Sequence, residues 1–142
     1  MQAISIVFAG LLAGTELIVR YGVQPALRRL PDGPHVLVRQ ALVRQLRVVV
    51  PVLIVPTVLA AVAVLVTAGG SFFRWAGVGC LVAFLLTAAF GTVPLNIQVD
   101  GWDLERPPAD CKAVVSRWER LDVLRSTAAI AAFVCFAIAV PL

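Results

Sequence analysis

The sequence predicts an all-α protein, an integral membrane four-helix bundle whose helices extend past the bilayer into the cytoplasm. Three observations predict it: the composition, four apolar stretches of spanning length, and the placing of the basic residues. Of 142 residues 61% are apolar and only 14% charged, with a mean hydropathy of +0.96. A water-soluble fold of this size leaves too large a share of its residues exposed to hide that much apolar surface. The same composition excludes disorder, and Cys80, Cys111 and Cys135 are too few and too scattered for a disulfide scaffold. A nucleic-acid module is excluded despite the net charge of +4.

A span needs roughly 20 apolar residues to cross about 30 Å of hydrocarbon, and the whole chain, 1–142, divides as one domain with four of them. The first covers 2–19. It lacks a basic leader and a small-residue cleavage site and carries Glu16, so it reads as a mature helix rather than a signal peptide. Over 35–48 a helical wheel puts Arg39, Gln40, Arg44 and Arg47 on one arc and Leu37, Val38, Ala41, Leu42, Leu46, Val48 and Val49 on the other. This amphipathic helix feeds the second span, 48–66, where Pro51 and Pro56 each remove a backbone donor and predict a kink. Gly69, Gly70 and Ser71 form a turn before the third span, 75–91. Asp100 to Pro108 reads as loop, and Asp110 to Leu124 as helix running into the fourth span, 125–142. No internal repeat is visible.

Six basic residues lie between spans one and two, five between three and four, and only Arg74 on the other side. By the positive-inside rule the long connections are cytoplasmic and both termini external, in a multi-pass protein of the cell membrane. Seven of the eight acidic residues share those connections, so the positive charge reads as topology rather than as a headgroup or nucleic-acid site.

The polar residues inside the spans are the candidates for function. Counting inward at 1.5 Å per residue, Glu16 lies roughly 22 Å, Arg125 roughly 25 Å and Asn96 about 32 Å from the outer ends. Three helices thus deliver a carboxylate, a guanidinium and an amide to one zone. Ionisable groups in lipid turn inward and find partners, so Glu16 is either a base or one half of a salt bridge to Arg20 or Arg125. Gly10 and Gly14, with Ala9 and Ala13, predict a close helix approach on the same face. Trp118, Asp122 and Arg125 share a helix face at i, i+4 and i+7, which suits a flat, oxygen-bearing molecule and equally an interfacial Trp beside a solvated pair. Asn96, the only Asn, follows Pro94 and either satisfies freed backbone or presents donor and acceptor to a ligand. His35, the only His, is a base candidate or a hydrogen-bonded helix-start residue. Gln24, Gln40 and Gln98 are interfacial polars unless they converge. No metal-ligand spacing, nucleophile motif, phosphate loop or dinucleotide fingerprint is present, so an enzyme built on this chain is expected to work without metal or nucleotide.

The run Thr92-Val-Pro-Leu-Asn96, then Trp118-x-x-Leu121-Asp122-x-x-Arg125, together with Ala13-Gly14-Thr15-Glu16 and Pro25-Ala-Leu27, resembles the anthrone oxygenase-like membrane proteins, a family first catalogued as a domain of unknown function. The chain departs from the family at Asp122, where His or Asn is commoner. The resemblance implies cofactor-free oxygenation of a lipophilic aromatic polyketide, an anthrone, to a quinone. On that reading Glu16, His35 or Asp122 is the base, Arg125 and Asn96 hold the oxyanion, and Trp118, with Gln24 and Gln98, contacts the substrate. The partners are then the substrate, molecular oxygen and membrane lipid, with no nucleic acid; a homo-oligomer is left open. Two other readings stand beside it: a non-redox cyclase or isomerase of a lipophilic natural product, and a non-catalytic small membrane subunit.

Overall fold

The computed structural model describes residues 1–141, which form four helices and no strand. They are α1 (Gln2–Arg28), α2 (Asp32–Ala68), α3 (Phe72–Asp100) and α4 (Cys111–Ile138), all long and apolar enough to cross a membrane. The 37 residues of α2 reach about 55 Å at 1.5 Å each, far beyond the hydrocarbon thickness. Large apolar side chains cover the outside, among them Val7, Leu11, Val52, Leu59, Leu86 and Phe90. In water such a surface would associate; in lipid it has nothing to hide from.

In the ring of four, α1 packs against α2 and α4, and α4 packs most extensively against α3. The seam between α2 and α3 is the loosest. Glycines let α3 approach α4: a Cβ on Gly77 would lie 2.5 Å from the Phe136 ring, and one on Gly91 would lie 2.9 Å from Leu121. On α1, Gly10 abuts Phe133, with Ala9 and Ala13 buried, but Gly14 has nothing within 4 Å and takes no part in the expected close approach. At the α2–α3 turn Gly69 adopts φ +76°, a left-handed conformation that glycine takes without a Cβ clash. The Ser71 hydroxyl caps α3 by accepting from the Arg74 N–H, and the Arg74 guanidinium donates to the Ala68 and Gly69 carbonyls.

Two helices carry a π turn, Val19–Val23 in α1 and Ala88–Thr92 in α3. Each ends two residues before a proline, Pro25 or Pro94. Proline offers no N–H and its ring clashes with the carbonyl four residues back; widening the turn by one residue moves that carbonyl aside. The segments also match in sequence: Tyr21-Gly-Val-Gln-Pro25 and Phe90-Gly-Thr-Val-Pro94 both read aromatic, Gly, β-branched, any residue, Pro. This is a short internal repeat that the sequence reading missed. By contrast α2 runs unbroken as helix through Pro51 and Pro56.

The two arcs of the amphipathic stretch in α2 do not divide into one buried and one exposed face, since Arg44 and Arg47 are exposed and Leu46 is buried. Arg39 and Gln40 are buried in the bundle, while Leu37, Val38, Val48 and Val49 point outward. Gln40 donates to the Val99 and Trp102 carbonyls and so ties α2 to the end of α3. Inside the bundle two apolar clusters form. One, toward the α2–α3 turn, holds Leu12, Ile54, Phe84 and Ala129; the other, toward the two long connections, holds Val19, Leu46, Leu95 and Trp118. Along each of α1, α3 and α4 a polar residue separates them: Glu16, Thr92, and Asp122 with Arg125.

Candidate active site

The polar layer is organised around Arg125. Its Nη2 donates to Asp122 Oδ1 at 3.1 Å and lies 3.4 Å from Glu16 Oε2, and all three side chains are 5% exposed or less. One guanidinium therefore faces two carboxylates from different helices in a buried site. Arg20, the alternative partner for Glu16, instead donates to the Ser126 and Thr127 hydroxyls. Each carboxylate has the guanidinium as its partner, and removing one member of a buried pair costs about 3–5 kcal/mol.

Trp118 is the hinge between this triad and a second arginine. Its ring centroid lies 5.6 Å from the Arg125 guanidinium carbon and 5.0 Å from that of Arg39. Fully buried and flanked by two cations, the indole serves to position its neighbours rather than to offer a face for a substrate to stack on. Its Nε1 donates to Asn96 Oδ1 at 2.6 Å. An indole N–H is a donor only, so it holds the Asn96 carbonyl oxygen toward itself and leaves the amide NH₂ to point elsewhere.

Arg39 has no exposed surface. It donates from Nη2 to Gln24 Oε1 and from Nε to His35 Nε2, each at 3.1 Å, and Glu119 lies 3.7 Å away. Glu119 in turn accepts from the exposed Arg28. His35 thus has its Nε2 lone pair engaged and sits in a different cavity, of about 240 Å³, with Arg28, Asp32, Trp102 and Glu119. It does not meet Glu16, Asn96 and Arg125, so the geometry does not favour His35 as their base. Gln24 joins the site through Arg39, whereas Gln98 is exposed on α3 and joins neither group.

The loose α2–α3 seam opens into a cleft of about 280 Å³. Its inner part is lined by buried Leu46, Ile54 and Phe84, and its rims by exposed Pro51, Val93 and Ile97. Three polar residues of the layer reach it: Arg125, Asn96 and Thr92. Of these, Arg125 Nε and Thr92 Oγ1 are buried without a hydrogen-bond partner. Glu16 and Asp122 stand behind Arg125 and do not line the cleft. Among the described residues no three His, Cys, Asp or Glu side chains gather in a group able to hold a metal ion.

The sequence reading passed over two of these residues. Arg39 stood out only as one member of a polar arc whose other arginines, Arg44 and Arg47, are exposed, and Thr92 only as the first residue of the run from Thr92 to Asn96.

A family model described as anthrone oxygenase matches residues 40–135. The chain belongs to the anthrone oxygenase family. The matched stretch is more than half of the chain and includes both walls of the cleft, Asn96, Trp118, Asp122 and Arg125, while Glu16, Gln24 and His35 precede it. No curated protein and no solved structure matches the chain.

Proposed function

We propose that this anthrone oxygenase family member is a membrane-embedded tailoring enzyme that oxygenates a lipophilic, anthrone-type aromatic polyketide to a quinone, without a resident cofactor. The observation that carries the reading is the α2–α3 cleft: apolar over most of its lining, near the lower end of small-molecule sites in size, and bordered by Arg125 and Asn96 inside and Arg47 at its exposed edge. Such a site takes a flat apolar molecule and places its one oxygen against donors.

In the proposed reaction a methylene and dioxygen give a carbonyl and water. Glu16 stands behind Arg125 and does not line the cleft, so in this reading it accepts the first methylene proton through one bridging water rather than by direct contact, and the resulting anion delocalises onto the ring oxygen. Arg125 and the Asn96 amide stabilise that oxyanion, an effect worth most where water is excluded. The anion passes an electron to dioxygen, and the two radicals combine into a C–O bond. The peroxide takes up a proton; loss of the second C–H proton then breaks the O–O bond, expels hydroxide and leaves the C=O. A bilayer concentrates both an apolar substrate and oxygen.

In the proposed orientation the two basic connections face the cytoplasm. A cysteine placed at Ser71 should react with an impermeant reagent only from outside, and reaction from the cytoplasm would reverse the topology.

The experiment on function uses purified protein in nanodiscs with anthrone and measures quinone and oxygen consumed. The expected result is turnover above the uncatalysed rate, one O₂ per quinone, strongly reduced in Glu16→Gln. Equal conversion of substrate without oxygen points to a cyclase or isomerase, and no conversion points to a non-catalytic subunit. Unchanged turnover in Glu16→Gln would move the base to Asp122.

A further inference from the structure

The chain has six threonines, and five of them donate their hydroxyl to the carbonyl four residues back: Thr15 to Leu11, Thr57 to Leu53, Thr67 to Ala63, Thr87 to Ala83 and Thr127 to Val123. This is the ordinary fate of a threonine inside a helix, where water is absent and the local carbonyl is the nearest acceptor. Thr92 alone is different. It is 2% exposed, and its Oγ1 has no partner.

The π turn explains the exception. In a regular helix the Thr92 hydroxyl would bond the Ala88 carbonyl, but over Ala88–Thr92 the helix is widened and that carbonyl accepts from the Val93 N–H five residues on. The widening itself follows from Pro94, so the chain Pro94, π turn, unpaired hydroxyl runs from sequence to site. Thr92 is one of the residues lining the α2–α3 cleft, together with Arg125 and Asn96, and its unpaired hydroxyl lies buried at that wall. An unpaired buried hydroxyl costs free energy in a folded protein, and π turns concentrate at functional sites for this kind of reason.

We infer that Thr92 is a ligand-contacting residue, freed by the π turn to hydrogen-bond an oxygen substituent of the flat apolar molecule that occupies the cleft. Its chemistry differs from that of its neighbours. Arg125 and the Asn96 amide only donate, whereas a hydroxyl both donates and accepts, so Thr92 reads either a carbonyl or a hydroxyl on the ligand. The inference rests on the cleft being the substrate site, and it adds the residue that selects an oxygenated ring system over a plain hydrocarbon of equal shape.

The test compares two probes of the same outline, anthraquinone and anthracene, bound to the full-length protein in nanodiscs and followed by tryptophan quenching. Thr92→Val keeps the shape and removes the hydroxyl; Thr92→Ser keeps the hydroxyl. The wild-type protein should prefer anthraquinone. In Thr92→Val that preference should fall about tenfold, the size expected for losing one hydrogen bond, with anthracene binding and thermal stability unchanged. Thr92→Ser should restore most of it. A Thr92→Val protein that binds both probes like wild type overturns the inference, as does one whose only change is a lower melting temperature. Oxygen consumption separates the two claims: wild type that binds anthraquinone through Thr92 yet never consumes oxygen with anthrone would overturn the oxygenase reading and leave the ligand contact standing.

Discussion

At the scale of single residues, what matters is which hydrogen-bonding valence each polar group has left after its protein partners are served. Asn96 shows this most clearly. Its oxygen is committed to the donor-only indole of Trp118, so only its NH₂ is free, and the sequence had left both ends open. Replacing Asn96 by Asp keeps the bond from Trp118 but turns the other end from a donor into an anionic acceptor beside Arg125. With anthrone as substrate, kcat should fall on the order of 10²-fold, as for loss of one oxyanion donor. Trp118→Phe removes the orienting N–H and should lower kcat in the same direction while leaving Asn96 itself intact. Unchanged steady-state kinetics in Asn96→Asp would remove the amide from the oxyanion site. Arg125 and Arg39 follow the same logic, with each guanidinium shared between anchoring partners and one unpaired nitrogen. The residue types at Glu16, Asn96, Asp122 and Arg125 were legible as out-of-place polarity in apolar spans. The role of Trp118 was not, because one of its two flanking cations, Arg39, lies 79 positions away in sequence on α2 and only packing brings it there.

At the scale of the helix, proline and glycine placed in α3 do separate jobs. Pro94 sets the π turn, and Gly91 within it allows contact with α4, where a Cβ would meet both methyl groups of Leu121 at 2.9 and 3.0 Å. Gly91→Ala should therefore lower the melting temperature in detergent by an amount matching an overpacking cost of about 1–3 kcal/mol. Gly79→Ala, on the same helix with nothing within 4 Å of its Cβ, should be neutral or mildly stabilising by helix propensity. Equal effects at the two positions would show that the α3–α4 approach is not set by Gly91. The element boundaries were largely legible: the turn at Gly69 and the loop after Asp100 are punctuated by breakers, and the apolar runs fix the spans. The inward face of α2 was not legible from the helical wheel, because the polar arc divides: the bundle buries Arg39 and Gln40 and leaves Arg44 and Arg47 exposed. The π turns were not legible because proline alone does not dictate them: α2 absorbs Pro51 and Pro56 as continuous helix, whereas the turns before Pro25 and Pro94 widen.

At the scale of the whole molecule, the bundle is an apolar frame crossed by the polar layer around Arg125, with a second buried polar group at Arg39, and its loosest seam opens beside that layer. Two helical hairpins, each beginning with a helix that carries the aromatic-Gly-β-branched-x-Pro motif, build it. Closing three seams tightly and leaving α2 and α3 loose gives a laterally placed cleft, the arrangement suited to a ligand already dissolved in lipid. The four-helix membrane architecture was readable from composition and charge alone, since those follow from the solvent the surface must meet. The cleft was not, because it depends on how closely helices distant in sequence approach one another. The central claim is that this cleft brings an aromatic methylene and dioxygen together, and the fate of the oxygen atoms tests it most directly. Purified protein in nanodiscs should be given anthrone under ¹⁸O₂ in ordinary water and the quinone analysed by mass spectrometry. The account predicts one ¹⁸O in each newly formed quinone carbonyl, with the other atom released as water; a product formed without dioxygen, or whose new oxygen comes from water, would contradict it.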